Sequence, residues 1–254
     1  MDQNFIDRGF TNIFQIDAQK ELANLADLIY QNTKQYLADH DSDISLNEKL
    51  NLNFKEIPSS DIWSELMATI NKSEELTQLI NSNGIKEGFK RIFSDPQLFK
   101  ISTFRARLPD QKRVIYNWHQ DEGTWFVSKN KNELNKYPAT LWFSINGANK
   151  EDSIQLVKFS HKKKLYNHEF VSGQGYFNLV KKDPIKNDDI TTIDVKPSEC
   201  VIFHPLTIHR SVPPKRHSLR PRYTIDIRYY DEKYNFDYKT DFSFKIKKIF
   251  KQLF

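Results

Sequence analysis

The sequence predicts an α+β chain, with a mainly helical part over residues 1–97 leading into a strand-rich core over residues 98–230. Three observations carry this. In the first part, apolar residues recur at helical spacing. From residue 98 they fall into short β-rich runs separated by Pro, Gly, Asn and Asp, the pattern of a sandwich or barrel. No linker composition and no internal repeat divides the two parts. The helices are therefore expected to act as an N-terminal buttress within a single domain, 1–254, that ends in a tail over 231–254.

The first helix is expected over Ala18–Leu37, with Leu22, Leu25, Ala26, Ile29 and Tyr30 on one face and Asp17 as its cap. Asp39–Asn53 reads as a loop. A second helix starts after Pro58, capped by Ser59 or Ser60, and runs through Ile70. Glu74–Asn81 reads as a third, ended by Asn83-Gly84, and Gly84–Ile92 as a further candidate. Phe5, Phe10 and Trp63 are read as core. Strands are expected at Phe99–Leu108, with Arg105 and Arg107 on one face, and then at Arg113–Trp118, Ala139–Asn146 and Ser153–Phe159. Ile190–Val195, Cys200–His204 and Arg222–Tyr230 complete the set. In the tail, Phe242, Ile246, Ile249, Phe250 and Leu253 share a helical face ringed by Lys245, Lys247, Lys248 and Lys251. Such a helix over 241–254 suits an anionic membrane surface, its own domain or a partner, and the three readings stay open.

At 254 residues the chain is long enough for a substantial core, and its 13% aromatic content supplies large buried surfaces. The net charge of +5 suits an anionic substrate or surface, but a Lys-rich composition with no partner explains it equally well. No nucleic-acid motif accompanies the charge, so no nucleic-acid partner is expected. The single cysteine, Cys200, excludes an internal disulfide and points to a reducing compartment. Met1-Asp2-Gln3-Asn4 does not open a secretory signal, and no apolar run is long enough to cross a bilayer. A cytoplasmic protein is expected, with membrane association only through the tail.

The chemistry centres on Trp118-His119-Gln120-Asp121-Glu122-Gly123-Thr124-Trp125. In extended chain His119 and Asp121 point the same way, so an imidazole and a carboxylate can hold one metal. With a second histidine this becomes the two-histidine, one-carboxylate set of non-haem Fe(II) oxygenases. The motif alone is weak: seven histidines in a chain with 33 acidic residues give about one His-x-Asp/Glu by chance. Its weight comes from the segments downstream of it in the chain.

Those segments are Thr140-Leu141-Trp142-Phe143-Ser144-Ile145, Glu151–Lys162 with Ser160-His161, Lys196–Ser211 with Phe203-His204-Pro205 and His209, and Arg220–Tyr229. In order and spacing, and together with His119 and Asp121, they resemble the phytanoyl-CoA dioxygenase-like family of Fe(II)/2-oxoglutarate oxygenases over about residues 95–230. Phe5–Phe10 also looks like that family's opening. The chain departs from the family at three turns. Lys158-Phe159 replaces Pro-Gly, Asp152-Ser153 replaces Asn-Gly, and Ser198-Glu199 replaces Gly-Asp.

The resemblance implies a double-stranded β-helix core, the cupin-like jelly roll, and Fe(II), 2-oxoglutarate and O2 as cofactor and cosubstrates. It implies His119, Asp121 and His209 as iron ligands, with His209 preferred over His204 because it precedes the small-residue segment Ser211-Val212-Pro213. A guanidinium should grip the far carboxylate of 2-oxoglutarate, by a two-pronged bond that an ammonium cannot reproduce. Arg222 is the expected anchor, with Arg220 next and Arg228 a third candidate, while Ser211 and Trp142 match positions near the cosubstrate. The expected outcome is hydroxylation of an unactivated C–H, with release of succinate and CO2. Asp121 sets the chain apart from halogenating relatives, which lack that carboxylate.

The substrate wall is expected to include Glu122, Trp125, Phe126, the loop Val127–Pro138, and Arg105 and Arg107. Trp125 and Phe126 serve equally as core. A small polar or anionic metabolite, sugar-linked or carrier-linked, is the expected substrate class. The competing readings are a non-catalytic jelly-roll protein with a structural metal, and an oxygen-independent zinc or manganese isomerase or hydrolase.

Overall fold

The computed structural model describes residues 1–39, 42–107, 117–125, 138–163, 165–171, 176–179, 185–212 and 220–234. The tail 241–254, the loop after Trp125 and most of the expected strand Arg113–Trp118 lie outside the described residues.

The helices follow their caps. Helix α1 (Gln3–Arg8) starts where the Asp2 carboxylate accepts from the Phe5 N–H. Helix α2 (Gln19–Thr33) buries Leu22, Leu25 and Ile29, the stripe the sequence predicts. Its N-cap is Ala18, with no side-chain bond, so Asp17 does not cap it. It also ends early, at Thr33, whose hydroxyl donates to the Ile29 carbonyl at 2.8 Å before a 3-10 turn at Lys34–Tyr36. Helix α3 (Leu46–Leu50) falls inside the expected loop. Ser45 and Glu48 form its capping box, and five residues are too few to show a period. Helices α4 (Ser60–Asn71), α5 (Glu74–Ile80) and α6 (Asn83–Phe89) are capped by Ser59, Ser73 and Ser82. Helix α5 already ends at Ile80 with Asn81 as its C-cap, so Asn83-Gly84 opens α6 and does not close α5.

The strands are β1 (Phe14–Gln15), β2 (Pro96–Arg107), β3 (Ala139–Ser144), β4 (Ile154–Val157), β5 (His168–Val171) and β6 (Tyr176–Leu179). They continue with β7 (Ile190–Thr192), β8 (Glu199–Phe203), β9 (His209–Ser211) and β10 (Arg222–Asp231). Every pairing is antiparallel: one sheet in the order β1-β8-β3-β10-β2, one in the order β7-β4-β9, and the pair β5-β6. Strands β5, β6 and β9 have no clear signal in the sequence, being only three or four residues long.

The large sheet is covered on both faces, and period-two alternation sorts its residues. Leu141, Phe143, Cys200, Ile202, Tyr223, Ile225, Ile227 and Tyr229 pack with helix residues such as Leu25, Ile29, Ile70, Leu79 and Phe89. Trp142, Val201 and Phe203 point the other way, into a second cluster with Ile154 and Leu156 of the small sheet and Ile193 just after β7. Each fully buried side chain of this kind stabilises the fold by about 1.5–3 kcal/mol. The third set of alternating positions, on β10, is polar: Arg222, Thr224, Asp226 and Arg228 line a cavity.

The backbone departs from regularity at two kinds of place. Among the described residues, Phe159 and Ser198 are the non-glycine residues in left-handed conformation, with φ of 64° and 69°. They stand where the resemblance described above leads one to expect glycine. Between the pairs Asp226–Thr103 and Arg228–Phe99 the ladder slips, so four residues of β2 are spanned against two of β10.

Candidate functional site

His119 and His209 are brought together by their backbones. Each N–H donates to the other's carbonyl at 2.9 Å, an isolated antiparallel bridge on the edge of β9 opposite β4, which pairs His209 with Leu156. Residues directly opposite in such a pair share a face, and the two rings lie 4.1 Å apart. The extended chain ends there. Asp121 opens a short helix, α7 (Asp121–Trp125), and still returns its carboxylate to the same face.

Gln120 latches this turn. Its side-chain amide donates to the Leu206 carbonyl at 2.8 Å and accepts from the Tyr166 N–H at 2.9 Å. Its backbone N–H donates to Nε2 of His168, whose Nδ1 faces the Tyr166 carbonyl. A side chain at Gly123 would strike the His168 ring, with its Cβ 2.2 Å from ring atoms. Glycine is therefore required by this close approach.

Three buried groups converge. Asp121 Oδ1 lies 3.6 Å from His209 Nε2 and 3.9 Å from His119 Nε2. The ligand atoms all fall within 4.8 Å of one another, a spread that one metal ion can bridge. Both rings are set for it. His119 Nδ1 faces the Asn117 carbonyl at 2.7 Å and His209 Nδ1 the Thr207 carbonyl at 2.9 Å. A carbonyl only accepts, so each Nδ1 carries the proton and each Nε2 presents its lone pair to the cluster.

Asp121 is oriented from behind. Its Oδ2 accepts from the Thr140 hydroxyl at 2.6 Å and from Arg228 Nη2 at 3.2 Å. Burial pushes the carboxyl up, but Arg228, His209, His119 and Thr140 together outweigh it and hold Asp121 well below the usual carboxylate range. Burial, then the neighbouring His209, keep His119 well below the usual imidazole range. At neutral pH the set is a carboxylate with a neutral imidazole at His119, the forms a metal needs.

The cluster opens on a cavity of about 670 Å³, counting its mouth. Trp142, Ser211, Arg105, Arg107 and Arg222 line it with the cluster. Arg222 is buried and donates to the carbonyls of Asp152 and Ser153. Burial, then the facing Arg107, lower its proton affinity to about 9, and it remains a cation at neutral pH. Arg105 Nε donates to Asp226 at 2.8 Å.

Other expected residues lie elsewhere. Arg220 donates to the carbonyls of Asn146 and Gly147 and is not part of the cavity wall. Glu122 is buried with its N–H on the Pro205 carbonyl, also off the wall. His204 accepts the Leu206 N–H on Nδ1 and packs beside Phe5 and His161. Trp125 closes α7, and Phe126 lies outside the described residues. Sequence reasoning missed Thr140, Gln120, His168 and the partnership of Arg228 with Asp121. Thr140 had a signal, since it shares a β3 face with Trp142.

Two imidazoles and a carboxylate facing an arginine-lined cavity form the donor set used by mononuclear non-haem oxygenases. Comparison with known proteins agrees with that class. The chain belongs to the phytanoyl-CoA dioxygenase family, whose model matches residues 5–221. It is therefore an Fe(II)/2-oxoglutarate-dependent oxygenase, with Fe(II), 2-oxoglutarate and O2 as its cofactor and cosubstrates.

Solved structures share the fold at low identity. ThoJ, a non-heme monooxygenase in its apo form, matches with a TM-score of 0.61 at 12% identity, over 90% of this chain and 76% of its own. EvdO2 from Micromonospora carbonacea var. aurantiaca, complexed with 2-oxoglutarate, matches at 0.54 and 14%, over 89% and 88%. SnoK, a non-heme alpha ketoglutarate dependent carbocyclase from nogalamycin biosynthesis, matches at 0.57 and 15%, over 90% and 82%. No curated protein matches the sequence. Among the described residues, no helix is long and apolar enough to cross a membrane.

Proposed function

We propose that His119, Asp121 and His209 hold the iron, that Arg222 anchors 2-oxoglutarate, and that the enzyme hydroxylates an unactivated C–H of a small polar or anionic metabolite, sugar-linked or carrier-linked. One observation carries this reading: two imidazoles, each with Nδ1 tied to a carbonyl, aim Nε2 at the same oxygen of a buried carboxylate. The donor set fits a borderline divalent ion that leaves positions free for ligands.

When bound, iron with 2-oxoglutarate and O2 supplies oxidative decarboxylation to succinate and CO2 and removal of hydrogen from the substrate. The chain's own part is positioning. Thr140 and Arg228 fix the Asp121 carboxylate so that one oxygen faces the ion. Arg222 sets the direction of the cosubstrate, with Ser211 and Trp142 beside it on the wall. Arg105 and Arg210 on the same wall support an anionic substrate. The antiparallel sheets are read as a jelly roll, with residues 1–97 as its helical support in one domain.

The test is anaerobic addition of Fe(II) and 2-oxoglutarate. A visible absorbance band, followed by succinate release on admitting O2, is the expected result. Iron binding with no band would remove the oxygenase reading and favour an oxygen-independent metal protein. Screening metabolites by succinate formation, with product analysis, separates hydroxylation from ring closure.

A further inference from the structure

The cavity wall carries one pair of charges that nothing in the ion cluster explains. Arg107, closing β2, and Arg222, opening β10, are direct cross-strand partners. Both are about 6% exposed, and both line the cavity. Like charges directly opposite in an antiparallel pair repel, and burial without a counter-charge adds to the cost.

The other arginines of these two strands that line the cavity have acids. Arg105 is on Asp226 at 2.8 Å, and Arg228 is on Asp121 at 3.2 Å. Among the described residues, no carboxylate lies within 4.0 Å of Arg107 or Arg222. Asp152 offsets part of both charges from further off, while lying 4.0 Å from Arg220. Carbonyls hold the two side chains in one frame. Arg107 Nη1 donates to Val212, the Val212 N–H donates to Ser153, and Arg222 Nη1 donates to the same Ser153 carbonyl. Each guanidinium has five N–H groups, so donors remain on both.

We propose that Arg107 is a second binding residue for the far carboxylate of 2-oxoglutarate, which is held between two guanidiniums across the β2–β10 pair and not by the β10 arginine alone. The proposal rests on the oxygenase reading and on Arg222 as the anchor. A carboxylate there supplies the missing counter-charge to both arginines at once. The shared frame through Ser153 and Val212 places Arg107 with the cosubstrate group, whereas Arg105, two residues along, sits with Asp226. The charge pattern thus separates two arginines that sequence alone assigns together to the substrate wall.

The experiment uses Mn(II)-loaded full-length protein, with calorimetric titration of 2-oxoglutarate and of 2-oxopentanoate, which keeps the chelating end and lacks the far carboxylate. Arg107→Gln is expected to weaken 2-oxoglutarate by about ten- to a hundredfold. It should leave 2-oxopentanoate and Mn(II) affinity unchanged, and Arg107→Lys should fall between. Melting of each variant checks the fold. The proposal is overturned if Arg107→Gln leaves 2-oxoglutarate affinity within about twofold of wild type, which hands Arg107 to the substrate. It is equally overturned if both ligands weaken together, which makes Arg107 structural. Wild-type protein that binds Mn(II) but not 2-oxoglutarate would sink the oxygenase reading itself, whereas failure of the Arg107 variants alone leaves that reading standing.

Discussion

Asp121 and Arg222 are both buried charges on one cavity, yet their surroundings differ. Around Asp121 the charge is matched: Arg228 and Thr140 satisfy one oxygen, and the second faces two imidazole nitrogens. Around Arg222 the charge is left over: its cross-strand partner is another arginine, and its bonds go to neutral carbonyls. The first end is organised before any ligand arrives. The second carries a repulsion that an anion relieves. Binding at the two ends should therefore have different signatures, the metal site losing affinity through misplacement and the arginine site through lost charge.

The largest expected effect is at the matched end. Asp121→Ala takes from Arg228 the carboxylate that it faces and removes a proposed metal ligand, and succinate release should fall by at least about a thousandfold. Retained turnover in that variant would remove Asp121 from the site. Next is Arg222→Lys, which keeps the charge but loses the fork. The KM for 2-oxoglutarate in uncoupled succinate formation should rise by about thirtyfold or more with little change in metal affinity. A metal defect of equal size would mean that the ends are not separable. Thr140→Val should do the reverse, weakening metal binding by about tenfold while sparing cosubstrate affinity in metal-saturated protein.

The smallest effect is a pH signature. The folded state holds His119 below the ordinary imidazole value, so the unfolded chain takes up its proton first as pH falls. Stability of metal-free protein, fully present above about pH 6.5, should decline as pH drops below it. Melting curves of His119→Gln should show a flatter slope there. An unchanged slope would place the sensitivity in another group.

Much of the molecule is legible in its sequence. The helical half, the β half and the polar face of β10 follow from periods of 3.6 and 2, which local sequence displays directly. The cluster of His119, Asp121 and His209 is expected only from an ordered set of segments; His204 and His209 are chemically alike, and in the structure it is His209 that bridges to His119. Three departures from the family's turn residues raise the question of altered loops. At Phe159 and Ser198 the structure keeps a left-handed backbone without glycine. Sequence could not show this, because a residue's identity limits its φ without fixing it. The Arg107–Arg222 opposition is hidden for another reason: strand register is a long-range fact, and the two residues are 115 positions apart in the chain.

The slip in the β2–β10 ladder has an evolutionary consequence. Four residues against two is an even mismatch, so β2 resumes pairing with its inward and outward sides unchanged. Among the described residues, β2 is also the last strand of its sheet, paired on one side only. Gain or loss of residues in pairs at this point would slide Arg105 and Arg107 along the cavity while the oily side of the strand keeps facing the helices. An odd change would invert them. The margin of the sheet is thus where descendants of this chain can adjust what they bind without rebuilding what makes them fold.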